Sequence, residues 1–162
     1  MTTQQVIDQV TRTEAFPFAE YATMKTPLLQ YATQDQRPAN STTIEWLTDV
    51  YTEPQKNHTQ IVRTPFLGGE RDKWAALERH LKTVEDILWF GKPSRSFDGS
   101  YPLVTCGGVL HYLRREPLYA DVIRLRPLQD LVLLYDRGPD GKHEFLSEFS
   151  LEVIAAPKIR RP

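Results

Sequence analysis

The residues of this chain that could do chemistry are few and scattered. Cys106 is the only cysteine and lies five residues before His111, so the two side chains could form a thiol nucleophile and its base. The pair lacks a surrounding motif, and a small side chain beside Gly107 and Gly108 is more typical of packing at a turn. We expect the chain not to be an enzyme, with a small-molecule or acyl-transfer enzyme that uses Cys106 and His111 as the competing hypothesis.

Metal and phosphate sites need denser patterns than this sequence has. The four histidines are isolated from one another: His58, His80, His111 and His143. The sequence has no His-Glu-x-x-His motif and no second cysteine. Gly68 and Gly69 precede a predicted helix but lack the Lys-Ser/Thr of a phosphate loop, so they indicate a tight helix entry. We expect no metal and no cofactor.

Carboxylates occur in two patterned groups. Glu85 and Asp86 lie on the flank of a predicted helix, and Glu144, Glu148 and Glu152 lie on one face of a predicted strand. Paired carboxylates can act as general acid and base. On a helix flank and a strand face, however, they favour solvated surface or charge pairing between subunits.

Composition excludes several classes of protein. Twenty Lys plus Arg against 21 Asp plus Glu give a formal net charge of −1, which excludes a dedicated DNA-binding module. The 162 residues, 40% hydrophobic and 25% charged, fit one folded domain or a core with extended arms. One cysteine cannot form an intrachain disulfide and favours synthesis in a reducing compartment. No apolar run approaches the roughly 20 residues that span a membrane, and the polar start lacks the order of a signal peptide, so we expect a soluble protein.

The strongest structural pattern covers residues 69–90. Apolar residues recur there at spacings of three and four: Trp74, Leu77, Leu81, Val84 and Leu88. This spacing predicts one amphipathic helix about 30 Å long. Gly91 followed by Pro93 predicts where the helix stops.

Weaker patterns predict the remaining elements. Residues 1–40 have no sustained helical or strand period and favour an arm that packs on something else. The alternative is an ordinary surface N-terminus with one short helix over residues 26–31, with Thr26 as its cap and Pro27 at its first position. Residues 42–47 indicate a strand, and residues 48–59 have the polar composition of a protruding loop. Residues 131–135 and 144–154 flank turn-forming residues and predict a β-hairpin.

Several stretches form an ordered set along the chain. They are residues 25–29 (Lys-Thr-Pro-Leu-Leu), 44–46 (Ile-Glu-Trp) with Asp49, 77–80 (Leu-Glu-Arg-His), 85–86 (Glu-Asp), 88–92 (Leu-Trp-Phe-Gly-Lys), 105–110 (Thr-Cys-Gly-Gly-Val-Leu), 140–148 (Asp-Gly-Lys-His-Glu-Phe-Leu-Ser-Glu), 151–153 (Leu-Glu-Val) and Pro157. In this order and spacing they resemble the major capsid proteins of tailed bacteriophages, the family with the Hong Kong 97-like shell fold. The stretches cover about half of the chain.

The resemblance implies an α+β protein with an N-terminal arm, an extended loop, a long spine helix and antiparallel strands. It divides the chain into an arm (1–40), the root of the extended loop (41–62), a peripheral domain with the spine helix (63–114), and a reduced axial region with returning C-terminal strands (115–162). Members of the family are normally longer. The extended hairpin near residues 52–57 and the axial region before Leu131 are short here.

The implied function is structural. A major capsid protein assembles as hexamers and pentamers into an icosahedral shell around non-specifically packaged double-stranded DNA, with scaffold, portal or decoration proteins as possible partners and no membrane. The implied location is the virion, after synthesis in the cytoplasm of a bacterial host. A virion accessory or connector protein that forms rings is the alternative within this class.

Contacts between subunits are expected in three regions. The first is the set of apolar arm residues, which we expect to dock on a neighbour because the arm cannot bury them against itself: Phe16, Phe18, Tyr21, Leu28 and Leu29. The second is the polar loop, with Glu53, Lys56 and Asn57, and the third is the set of helix charges Arg71, Arg79 and Glu85. Deleting residues 1–30 should then leave soluble subunits that do not assemble.

Two further expectations concern the loop and the C-terminus. Lys158, Arg160 and Arg161 form a small basic patch that could face DNA. Some family members crosslink subunits through lysine and asparagine, but no motif around Lys56 and Asn57 supports this here. We predict no crosslink.

Overall fold

The elements of the chain combine one long helix with antiparallel strands. A computed structural model describes residues 7–8, 10, 12–34, 49–51, 60–92, 94–98, 101–110, 119–137 and 142–156. In chain order the elements are β1 (Arg12–Ala15), α1 (Phe18–Tyr21), α2 (Pro27–Ala32), β2 (Asp49–Tyr51), β3 (Gln60–Phe66), α3 (Glu70–Phe90), β4 (Ser94–Asp98), β5 (Tyr101–Thr105), β6 (Tyr119–Arg137) and β7 (Lys142–Ala156). The described part of the chain is therefore an α+β protein with an antiparallel sheet, as expected.

The main sheet is built on the β6–β7 hairpin. Its register runs from Tyr119 opposite Ala156 to Arg137 opposite Lys142, with four shifts between. β1 pairs with the outer edge of β6, while β2 and β3 both pair antiparallel with the outer edge of β7. β4 and β5 form a separate two-stranded sheet. The main sheet thus takes strands from the arm, loop-root and C-terminal segments of the sequence.

The predicted hairpin is confirmed, and β6 is longer than its apolar part indicated. β2 lies inside residues 48–59, so the expectation of a loop throughout that range is wrong at residues 49–51. Pairing with the opposite residues 153–155 of β7 makes this short segment a strand, and composition alone does not reveal such long-range pairing. The strand predicted over residues 42–47 lies outside the described residues.

The long helix α3 confirms the strongest sequence pattern. Leu77, Leu81, Val84 and Leu88 are buried along it, and the helix packs on β3, β7 and α2. Trp74 differs, because it lies at the edge of the apolar stripe and is 48% exposed. Gly69 precedes the helix with a φ of 121°, a conformation that glycine adopts without strain.

The N-terminal segment folds back onto its own chain. Phe16 and Phe18 are buried, and their rings meet those of Phe145 and Phe149 on β7 edge to face, with centroids 5.3 and 6.3 Å apart. Leu28 and Leu29 on α2 belong to the same core. The expectation that these arm residues cannot be buried without a neighbour is therefore wrong for Phe16, Phe18, Leu28 and Leu29. Phe18 lies on α1, Leu28 and Leu29 lie on α2, and Phe16 lies between β1 and α1.

A second apolar cluster covers the opposite face of the sheet. Val132, Leu134 and Leu146 form it, and Ile7 and Val10 pack against them. Because both faces of the hairpin are covered here, the alternation of residues along β7 does not separate a buried face from a solvated one.

Candidate functional site

Cys106 is not placed to act as a nucleophile. Its side chain is fully buried, and burial raises the pKa of the thiol to about 12. The thiol therefore stays protonated at neutral pH, and a protonated thiol is a poor nucleophile. His111, its expected partner, lies outside the described residues.

A buried histidine on α3 forms a polar cluster that the sequence analysis did not single out. His80 Nδ1 lies 2.9 Å from Thr64 Oγ1 on β3, and Nε2 lies 2.8 Å from Ser147 Oγ on β7. A serine next to a histidine is the pairing of a hydrolase nucleophile and base. Here both side chains are fully buried, and burial lowers the pKa of His80 to about 3. The cluster therefore joins α3 to the sheet and is closed to substrate.

The spacing of α3 contains the signal that would have found this histidine. His80 lies three residues after Leu77 and four before Val84, which places it on the buried stripe. A histidine on that stripe must find hydrogen-bond partners across the core.

Glu85 holds the N-terminal segment against α3. Its Oε2 accepts hydrogen bonds from the backbone N–H of Leu28 at 3.0 Å and from Trp89 Nε1 at 2.8 Å, and its Oε1 accepts from the N–H of Leu29 at 2.8 Å. Helix α2 starts with unpaired N–H groups, and the negative carboxylate satisfies two of them. Glu85 is buried, so its assignment as a solvent-facing contact between subunits is wrong.

Thr26 does not cap α2 with its side chain. Its Oγ1 accepts from the N–H of Thr23 at 3.0 Å and donates to the Thr23 carbonyl at 3.2 Å. Helix α2 begins at Pro27 as predicted. Its side-chain cap comes from Glu85, which no local sequence pattern could reveal.

The predicted carboxylate face on β7 is also partly internal. Glu144 is buried, and Arg63 on β3 donates to it through Nε at 2.6 Å and Nη2 at 3.4 Å. The expectation of a solvated surface is therefore wrong for Glu144, which is buried and paired with Arg63 of its own chain. Glu148 is half-buried, and the side chain of Glu152 lies outside the described residues.

Two glycines bring the end of α3 against the turn after β5. The N–H of Gly108 donates to the Gly91 carbonyl at 2.9 Å. A Cβ at Gly108 would lie 2.7 Å from the carbonyl oxygens of Ile87 and Leu88, closer than atoms can approach. Glycine at this position is a requirement of packing, in agreement with the packing interpretation of the Gly107-Gly108 pair.

The other predicted contact residues fall into two groups. Arg71 and Arg79 are exposed on α3 and Tyr21 is half-buried, so their role as contacts stays a prediction. The rest lie outside the described residues: Glu53, Lys56, Asn57, Lys158, Arg160 and Arg161.

The main candidate surface is an apolar groove between the connection of α1 to α2 and the first half of α3. Its volume is about 870 Å³, and its lining residues are Tyr21, Thr23, Met24, Lys25, Thr26, Trp74, Leu77, Glu78, Leu81 and Lys82. Met24 is 89% exposed. At the rim Lys25 Nζ lies 3.1 Å from Glu78 Oε1. The titratable side chains that line the groove, Tyr21, Lys25, Glu78 and Lys82, are exposed or half-buried.

Among the described residues no group of three or more histidine, cysteine, aspartate or glutamate side chains is arranged to hold a metal ion. Within the same part of the chain, no helix has the length and apolar character needed to cross a membrane. Comparison of the chain with protein-family models, curated proteins and solved structures finds no match.

Proposed function

We propose that the chain is a structural subunit of a self-assembling shell, the major capsid protein of a tailed bacteriophage with a Hong Kong 97-like fold. Copies of the subunit enclose double-stranded DNA as hexamers and pentamers. The subunit carries out no catalytic turnover and needs no cofactor.

The proposal rests on contacts between the stretches that carry the sequence resemblance. Residues 25–29 dock on the 85–86 stretch through Glu85. Residues 88–92 meet residues 105–110 through Gly91 and Gly108. Residues 77–80 meet residues 140–148 through His80 and Ser147. Stretches that are far apart in sequence are thus in direct contact, as expected if they were constrained together by one fold.

The surface chemistry supports a structural role. The sequence has a net charge of −1, so many copies can pack without strong mutual repulsion. The thiol and the Ser–His pair that could suggest catalysis are both buried. An exposed apolar groove remains, and exposed apolar patches are typical of protein–protein contact.

Particle size tests the proposal. We expect the purified protein to give uniform hollow particles in negative-stain electron microscopy, far larger in light scattering than a monomer with a radius of gyration of about 15 Å. Rings without closed shells would support the connector alternative. A monomer or dimer at every concentration would overturn the proposal.

A further inference from the structure

The groove beside α3 has a charge pattern that determines what can bind there. Glu78 and Lys82 are four residues apart on α3, and Trp74 precedes them by one turn. These three side chains form one row along the rim of the groove. Met24, on the opposite rim, is the most exposed of the large hydrophobic residues that the structure describes.

We propose that this groove binds a second copy of the chain, in a two-fold contact that sets two α3 helices antiparallel. In this arrangement Glu78 of each copy faces Lys82 of the other. The inference deepens the proposed function and rests on it, since it names the partner of the groove as another subunit.

Charge complementarity selects a second copy. A two-fold contact brings one patch against itself, so a patch of single sign would repel its own copy. This rim instead has Lys25 and Lys82 on either side of Glu78. In the antiparallel arrangement, position 78 of one copy lies opposite position 82 of the other. Each Glu78 carboxylate therefore meets a Lys82 ammonium group.

The existing ion pair does not oppose this contact. Lys25 and Glu78 are paired in the monomer, but their side chains are 80% and 66% exposed, and such pairs add little stability. A carboxylate has two oxygens and accepts several hydrogen bonds. Glu78 can therefore keep Lys25 of its own chain while it accepts from Lys82 of the second copy.

The apolar part of the groove supplies the remaining contact. Methionine and tryptophan are enriched in the buried centres of interfaces, and Met24 and Trp74 are the exposed apolar side chains here. Lys73 Nζ lies 5.0 Å from the centre of the Trp74 ring, so the ring already faces a cation on one side. A second copy would remove the exposed part of both side chains from water.

Charge exchange tests the proposal. The variants Glu78→Lys and Lys82→Glu each place like charges opposite each other, and we expect each to weaken self-association at least tenfold in sedimentation velocity over a concentration series. An equimolar mixture of the two single variants restores complementary pairs between unlike chains, so association returns in the mixture. The double variant also restores the pairs between chains but loses the ion pair with Lys25, so we expect its association to exceed that of either single variant.

Matched controls separate this effect from a general effect of charge. Asp72→Lys and Lys92→Glu reverse exposed charges outside the groove, and we expect wild-type association from both. Thermal melting of each variant confirms that the fold persists.

The outcomes distinguish the two proposals. Wild-type particles together with unaffected association of both single variants would overturn the groove contact and leave the proposed function standing. Weakened single variants that the mixture fails to restore would overturn the antiparallel arrangement. A wild-type chain that stays monomeric throughout would overturn both proposals.

Discussion

Acidification should destabilise this fold through His80. The ring lies fully buried between the neutral hydroxyl groups of Thr64 and Ser147. A neutral imidazole can donate from one nitrogen and accept at the other, whereas a protonated ring must donate from both and carries a charge that burial disfavours. Protonation of His80 therefore weakens the contact through which α3 is joined to β3 and β7.

The pKa values give the sign and the size of this effect. The pKa of His80 is 6.5 in the unfolded reference and about 3 in the fold, so the unfolded chain binds the proton first. The stability contribution is complete above pH 6.5 and falls as the pH drops from there towards 3. The expected loss is about 2 kcal/mol at pH 5 relative to pH 8, and it approaches its limit of about 5 kcal/mol only below pH 3.

Urea unfolding followed by tryptophan fluorescence measures this loss. The control is His80→Gln, because the glutamine amide keeps one donor and one acceptor and does not titrate. The carboxylates titrate in both chains, so their effect cancels in the difference. We expect the wild type to lose about 2 kcal/mol more than the variant between pH 8 and pH 5. Equal losses in the two chains, or an NMR signal of the His80 ring that titrates in this range, would refute the reasoning.

Three further predictions test contacts around α3. Glu85→Ala should lower the free energy of unfolding by about 3 kcal/mol, because three donors lose their acceptor. Glu85→Gln should lower it by less. Equal losses of stability in the two variants would argue that Glu85 does not cap α2. Gly108→Ala should cost at least about 2 kcal/mol, since its Cβ would meet the Ile87 carbonyl. Gly69→Ala should cost about 1–3 kcal/mol, because its backbone conformation with a φ of 121° is one that alanine rarely adopts. Wild-type stability of either variant in urea melts would contradict this account of the two glycines. The Cys106 thiol should react with an aromatic disulfide reagent only on unfolding, and fast labelling of the native chain would show that it is accessible.

Local sequence patterns predicted the elements that are defined by residues close together in the sequence. The stripe from Leu77 to Leu88 and the glycines around it defined α3, because helical periodicity and stop signals lie within a few residues of each other. The hairpin of β6 and β7 followed from two apolar runs and a turn, for the same reason.

The partners of the polar groups inside the core could not be found in this way. Glu85 and Glu144 have the sequence context of surface residues, and His80 lies on the buried stripe of α3. Each of the three is hydrogen-bonded to a partner distant in sequence. Pairing across 56, 67 and 81 residues depends on the completed fold. The candidate groove was missed for a similar reason. Its two walls come from the N-terminal segment and from α3, and only Tyr21 among its lining residues was predicted as a contact residue.

Burial of the N-terminal segment changes what its removal should do. Phe16, Phe18, Leu28 and Leu29 belong to the core, and burying four such side chains contributes about 8 kcal/mol. That value is comparable to the whole stability of a typical domain, about 5–15 kcal/mol. Deleting residues 1–30 should therefore unfold the subunit, and the circular dichroism melt of the truncated chain should lack a cooperative transition. A folded, soluble truncated monomer would show that the segment is a detachable arm. The segment is thus a part of the subunit itself, and contacts with other copies must use surfaces such as the groove that it helps to build.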